Sequence, residues 1–275
     1  AFRYAQRQMH KSKGASMMVL EAAAITKKFR IKGGKEFRAL DRVSFSLGEN
    51  EILGIVGESG SGKSTLADIA GGLASPTEGN VYFLGHDIAK MKGEERKEYR
   101  RNVQFIFQSP KGSMNPYFRV RRILSEPLLI NYPQMEENEI ERRLSDMLER
   151  VGLDPEKTLS RYPSAFSGGQ LQRIAIARAL LLEPKVLISD ECTSSLDVSL
   201  QAQILNLLLS LKKEFSTSMI FISHDIGIVR YVSDRIIVMK DGRIVEEGDS
   251  ESVISSPKTE YASLLVRASG FMEET

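Results

Sequence analysis

Residues 57–65 read Gly57-Glu-Ser-Gly-Ser-Gly-Lys-Ser-Thr65 and follow the apolar run Ile52-Leu-Gly-Ile-Val56. A helix-like segment comes next, so the order is strand, glycine-rich turn, helix. Glycines at 57, 60 and 62 let the turn fold its N–H groups inward, and the helix N-terminus behind them adds partial positive charge. Such a loop is an anion cradle. The spacing from Gly57 to Gly62-Lys63-Ser64 fits the P-loop pattern, in which Lys63 reaches the β- and γ-phosphates of a nucleoside triphosphate and the Ser64 hydroxyl ligates Mg²⁺. Ser59, Gly60 and Ser61 belong to the cradle, and Thr65 offers a hydroxyl to the α-phosphate.

Working outward, three more short apolar runs end at chemically pointed residues: Val103 to Phe107 at Gln108, Val186 to Ser189 at Asp190-Glu191, and Met219 to Ser223 at His224. In an open parallel α/β sheet, ligands lie beyond the carboxyl ends of the strands, so these ends are expected to converge on one nucleotide. Val19 to Leu53 has shorter β-like segments with period-two spacing, which suggests an antiparallel layer ahead of the P-loop. Residues 109–180, with helical patterns at Glu136 to Val151 and Leu171 to Leu182, read as a helical insertion. After His224, the Asp241-Gly242 pair within Arg235 to Val245 predicts a hairpin, and Glu251 to Ala268 a closing helical region.

Composition sets the bounds. The chain has 275 residues, 41% hydrophobic and 27% charged, enough for a sizeable core. Its longest apolar runs fall far short of the roughly 18 residues that span a bilayer, and no signal-peptide pattern opens it. Net charge is +2, which is no polyanion track, although residues 1–42 hold eleven Lys/Arg against three Asp/Glu. Residues 1–16, AFRYAQRQMHKSKGAS, read as a cloning scar or a disordered arm, leaving residues 17–275 as one folded unit. The single cysteine, Cys192, excludes an intramolecular disulfide and reads as a small buried residue rather than a reactive thiol.

Val186-Leu-Ile-Ser-Asp190-Glu191 delivers two adjacent carboxylates from an apolar strand, the Walker B arrangement: Asp190 for the Mg²⁺ shell, Glu191 to orient or deprotonate the attacking water. Phe166-Ser-Gly-Gly-Gln170 opens another helix with glycine N–H groups, a second phosphate cradle in one chain. At this point the sequence resembles the ABC-type ATPases, whose signature is LSGGQ. The resemblance implies a P-loop core with a parallel sheet, an antiparallel β subdomain and a helical insertion, with ATP and Mg²⁺ as ligands. It also implies that two subunits, identical or paralogous, pair head to tail, so that Ser167, Gly168, Gly169 and Gln170 of one cap the nucleotide on the other's P-loop. By the same resemblance Gln108 is the Q-loop glutamine that senses Mg²⁺ and water, Ser194-Ser-Leu-Asp197 the loop that crosses the dimer seam, His224 the switch histidine and Phe29 the aromatic that stacks on adenine.

Four stretches narrow the resemblance to the oligopeptide/dipeptide/nickel uptake branch: Phe107 to Pro116, Tyr162 to Gln170, Leu196 to Gln203 and Ser256-Pro-Lys-Thr-Glu-Tyr-Ala-Ser-Leu-Leu265. An importer subunit of this kind would lie on the cytoplasmic face of the membrane. It would dock to transmembrane permeases around Gln108 and Pro110 to Arg122, and serve indirectly a solute-binding protein. Phe166 replaces the signature Leu, and the late cysteines that many branch members use for an iron–sulfur cluster are missing, so no cluster is expected. The competing reading is a soluble ABC ATPase of nucleic-acid maintenance or translation, against which stand the mild charge and the absence of coiled-coil arms or a second cassette. A degenerate cassette that only holds ATP is opposed by the intact Lys63, Asp190, Glu191 and His224.

Overall fold

Period-two spacing builds two long strands, β1 (Met18–Arg30) and β2 (Glu36–Gly48), paired antiparallel. The computed structural model describes residues 17–30, 36–194 and 196–270; the scar or arm read at 1–16 lies outside them. β3 (Ile52–Val56) is buried along its whole length and runs into the P-loop and α1 (Lys63–Ala70). Next come β4 (Glu78–Phe83), the two-residue β5 (His86–Asp87), α2 (Gly93–Asn102) and β6 (Val103–Ile106). The chain then leaves the sheets for α3 (Val120–Asn131), α4 (Glu137–Arg150), α5 (Pro155–Leu159), a 3-10 turn at Pro163–Ala165, and α6 (Gly168–Leu180). It returns through β7 (Val186–Asp190), α7 (Val198–Glu214), β8 (Ser218–Ser223), α8 (Ile226–Val232), β9 (Arg235–Lys240) and β10 (Arg243–Asp249), and closes with α9 (Ser250–Ser255) and α10 (Glu260–Ala268).

Two sheets result. One is antiparallel in the order β2-β1-β4-β5; the other runs β10-β9-β3-β8-β7-β6, with every pair from β9 to β6 parallel and only β10 antiparallel. The apolar runs are continuous because both faces of the central strands are covered. Alternation along β8 demonstrates it: Ile220 and Ile222 face the antiparallel sheet and α1, whereas Met219 and Phe221 face the helices of the opposite layer. The insertion is held by the same rule in helical form: Ile140, Leu144, Met147 and Leu148 line one buried stripe of α4.

This topology carries the site. β3, β8, β7 and β6 are neighbours and parallel, so the P-loop, the residues after β8, Asp190-Glu191 and the segment after β6 all emerge at one sheet edge. The β9–β10 turn has positive φ at both Asp241 (48°) and Gly242 (73°), as a two-residue hairpin turn requires. Its Gly242 N–H donates to the Ser61 carbonyl at 3.1 Å, which presses the hairpin against the P-loop from outside. Gly57 is equally constrained: a Cβ there would lie 2.2 Å from the Met239 carbonyl oxygen of β9. Among the described residues no helix is long and apolar enough to cross a membrane.

Candidate active site

A cavity of about 340 Å³ is lined by Ser59, Gly60, Gly62, Lys63, Ser64 and Thr65 of the P-loop and α1, by Gln108 and Glu191, and by Phe29, Phe37 and Ala39 of the antiparallel sheet. Lys63 is 4% exposed. Its ammonium donates to the Gly57 carbonyl at 2.7 Å and to the Glu58 carbonyl at 2.8 Å. Burial lowers its pKa, and the neighbouring carboxylates of Glu191, Asp190 and Glu58 oppose that by favouring the ammonium.

Glu191 follows β7 in the left-handed region, φ 45°, a conformation that costs a non-glycine residue and recurs at functional sites. Its N–H is tied to the Ile222 carbonyl of β8 at 3.0 Å, and Gln108 Nε2 donates to its Oε2 at 3.0 Å. His224 Nδ1 stands 3.8 Å from Oε1, beyond hydrogen-bond reach. Gln108, Glu191 and Lys63 thus line one cavity, and His224 stands beside Glu191 without lining it. Cys192, next in the chain, is 1% exposed; burial pushes its thiol up to about 11, and the Ser189 hydroxyl is its partner at 2.9 Å, the environment of an inert packed cysteine.

Beneath the cavity the donor set fits Mg²⁺. Asp190 Oδ1 is buried with no hydrogen-bond partner, and the neighbouring Ser64 hydroxyl favours the charged form of the same carboxylate. Burial raises the Asp190 pKa, the Ser64 hydroxyl opposes that, and the carboxylates of Glu191 and Asp68 add to it. Among the described residues no three His, Cys, Asp or Glu side chains cluster as a protein-only metal cage. One carboxylate and one hydroxyl with room for phosphate and water oxygens is how Mg²⁺ is ordinarily held.

The second cradle lies elsewhere. Ser167 caps α6 by accepting from Gln170 N, and Gln170 Oε1 accepts from Ser167 N at 3.0 Å, a reciprocal capping box. Gly169 is pressed against Leu200 of α7, where a Cβ would meet it at 2.5 Å, but Gly168 is exposed with open space before it. Asp197 caps α7 through Leu200 N at 2.9 Å. None of Ser167, Gly168, Gly169, Gln170 and Asp197 lines the P-loop cavity; Gly168 instead borders a separate one of about 470 Å³ with Gln108, Phe166 and Ser194.

Phe29 is 44% exposed and paired in register with Phe37, itself 52% exposed. Phe37 was missed by sequence reasoning. Glu36 and Arg38 put Phe37 on the opposite strand face, which by alternation reads as core, so its exposure has no local signal.

These features define a P-loop ATPase cassette, and the comparisons with known proteins agree. The ABC transporter family matches residues 40–194. Over 259 residues the chain is 44% identical to the oligopeptide transport ATP-binding protein OppF of Salmonella typhimurium, covering 91% of this chain and 77% of that protein. It is also 44% identical over 255 residues to the dipeptide transport ATP-binding protein DppF of Escherichia coli, covering 91% and 76%. Among solved structures, the dimeric post-hydrolysis state of the ATP-binding cassette MJ0796 bound to ADP and Pi superposes with a TM-score of 0.76 at 33% identity, covering 84% of this chain and 98% of that one. The chain belongs to the ABC transporter family, as an ATP-hydrolysing subunit of the importer branch that its motifs resemble. Nothing in the comparisons favours the nucleic-acid alternative.

Proposed function

We propose that this subunit powers uptake of short peptides, binding MgATP at the cavity above and hydrolysing it only when two subunits close head to tail. The observation that carries the reading is the separation of the two cradles within one chain. Lys63 and Glu191 line one cavity, the exposed Gly168 N-terminus of α6 faces another, and a second copy or a paralogue can bring the two together. The relatives named for oligopeptides and dipeptides favour peptides over the other solutes of the branch.

In this mechanism the P-loop N–H groups and Lys63 hold the β- and γ-phosphates, and Thr65 the α-phosphate. Ser64 and Asp190 would hold Mg²⁺, with Gln108 at the edge of its shell; its chemistry there is neutralisation of phosphate charge. Glu191 accepts a proton from the attacking water, Gln108 fixes the carboxylate that does so, and His224 would contact the γ-phosphate. Ser167 to Gln170 and Asp197 of the opposing subunit complete the pocket. Catalysis is then positional and electrostatic rather than covalent.

Residues 17–275 act as one ATPase unit in which 109–180 is the helical insertion. The unit sits on the cytoplasmic face of the membrane against two permeases. A hollow of about 420 Å³ between the P-loop core and the insertion, lined by Leu73, Arg100, Phe105, Phe107, Ser113 and Arg178, supports docking there. It refines the docking surface expected around Gln108 and Pro110 to Arg122.

The test is the concentration dependence of ATP hydrolysis. Specific activity of the isolated subunit is expected to rise with concentration and to be near zero where light scattering reports a monomer. Brisk turnover by a verified monomer would contradict the shared site. The adenine contact has its own test. Phe29→Ala is expected to weaken ATP binding about tenfold, in line with stacking of about 1–3 kcal/mol per base. An unchanged dissociation constant, measured with a fluorescent ATP analogue, returns Phe29 to simple strand packing.

A further inference from the structure

The P-loop is braced from a side that the reaction does not use. The backbone N–H of Glu58 donates to the Tyr261 hydroxyl at 3.0 Å. The carbonyl of Gly57 is the other half of the same peptide group, and it accepts from Lys63 Nζ at 2.7 Å. One peptide plane is therefore clamped at both ends, by a tyrosine on its donor and by the phosphate-binding lysine on its acceptor.

Tyr261 comes from the first turn of α10, some two hundred residues further along the chain, and the segment around it is held by a linked set of contacts. Thr259 caps α10 by accepting from Ala262 N at 3.2 Å. Glu246 of β10, 7% exposed, accepts from Lys258 N at 2.8 Å, Thr259 N at 2.9 Å and the Thr259 hydroxyl at 2.8 Å. Lys240, where β9 ends, carries its ammonium 4.7 Å from the centre of the Tyr261 ring, within cation–π range. A buried carboxylate, a cap and a cation thus converge on a single aromatic whose hydroxyl reaches the P-loop. The stretch Ser256 to Leu265, notable in the sequence and without a role in the chemistry, is the segment that carries it.

We propose that Tyr261 is a positioning residue for the nucleotide reaction. Its hydroxyl fixes the Gly57–Glu58 peptide and, through that peptide, the carbonyls that hold Lys63 in line with the incoming phosphates. The inference rests on the nucleotide site argued above and adds to it a residue from the far end of the chain. Tyr261→Phe keeps the ring, the packing and the Lys240 contact, and removes only the acceptor. The Gly57–Glu58 peptide is then free to rotate, and Lys63 must be ordered at the moment of binding. Once the phosphates are in place they orient the ammonium themselves, so the loss falls on binding rather than on the chemical step.

The experiment measures ATP dissociation on the full chain, and KM and kcat on the assembled transporter, for wild type, Tyr261→Phe, Glu246→Gln and the double variant. Glu246→Gln leaves the hydroxyl but loosens the segment that delivers it. Tyr261→Phe is expected to raise the dissociation constant and KM about three- to tenfold, the loss of one hydrogen bond, with kcat and melting temperature nearly unchanged. Glu246→Gln should raise KM in the same direction, and the double variant should be less than additive, because both changes act through one peptide. An unaltered dissociation constant in folded Tyr261→Phe overturns the inference, as does a fall in kcat at constant KM. If Tyr261→Phe does not fold, Glu246→Gln decides by the same readout. Wild-type chain that fails to bind ATP overturns the nucleotide reading itself; wild type that binds beside an unaffected variant overturns only the role of Tyr261.

Discussion

Glu191→Gln is expected to bind ATP as tightly as the wild type and to hydrolyse it about 10²–10⁴ times more slowly, the usual reach of a general base. The substitution is nearly isosteric, so the strained backbone at φ 45° and the N–H contact to the Ile222 carbonyl survive. The amide can still meet Gln108, whose Nε2 now donates to Glu191 Oε2 at 3.0 Å. It cannot take a proton from water. Nothing in the P-loop is touched: Lys63 keeps both carbonyl contacts and the cavity keeps its lining. Binding without turnover should also trap the closed pair, so the variant is expected to elute as an ATP-dependent dimer in gel filtration while wild type returns to monomer. Turnover at the wild-type rate would remove Glu191 from the role of base and leave Asp190 or a substrate oxygen to take it.

How much of this was legible follows from what each pattern encodes. The parallel core could be read because β3, β7 and β8 are buried on both faces, which forces short unbroken apolar runs, and each run ends on a residue whose chemistry is conspicuous. The helix Val120–Asn131 was harder to find, since Pro127 lies inside it and a proline gives up an i→i−4 hydrogen bond and ordinarily ends a helix. Packing of Val120, Ile123, Leu124 and Leu128 into the core outweighs that loss. Phe37 and Tyr261 escaped for a different reason. Their roles depend on contacts across strand register and across two hundred residues of chain, and no local spacing carries that information. The clearest reversal of emphasis concerns Ser167 and Gln170. Their side chains are engaged in capping α6, so the proposed cradle would rest on the backbone of an N-capped helix, with open space beside Gly168 at its tip.

Asp190→Asn is expected to change stability and activity in opposite directions. In the folded chain Asp190 is half-buried with Oδ1 sealed from water and unpartnered, and the carboxylates of Glu191 and Asp68 repel it while only Ser64 and Lys63 favour its charge. Burial, the largest of these influences, raises its pKa above the ordinary carboxylate value. The sign follows from linkage: a carboxyl whose folded pKa lies above its unfolded one binds more protons when folded, so stability falls as pH rises through that window and stays lower above it. The amide has the same shape, keeps an oxygen for the Ser64 hydroxyl and never ionises. In EDTA at neutral pH the variant should therefore melt above the wild type, and the two curves should approach each other as pH drops below the ordinary carboxylate range. With Mg²⁺ present the order reverses for function. The neutral amide is a poor ligand for a hard cation, so Mg²⁺ should no longer strengthen ATP binding, and hydrolysis should fall by ~100-fold or more, several kcal/mol of lost charge stabilisation. A variant that melts below wild type in EDTA would make Asp190 a structural anchor of β7. A variant with an intact Mg²⁺ effect would move the metal to another residue. The predicted combination, a protein made more robust by disabling it, is what a half-buried carboxylate kept for a metal would produce, because Ser64 and Lys63 offset its desolvation only in part.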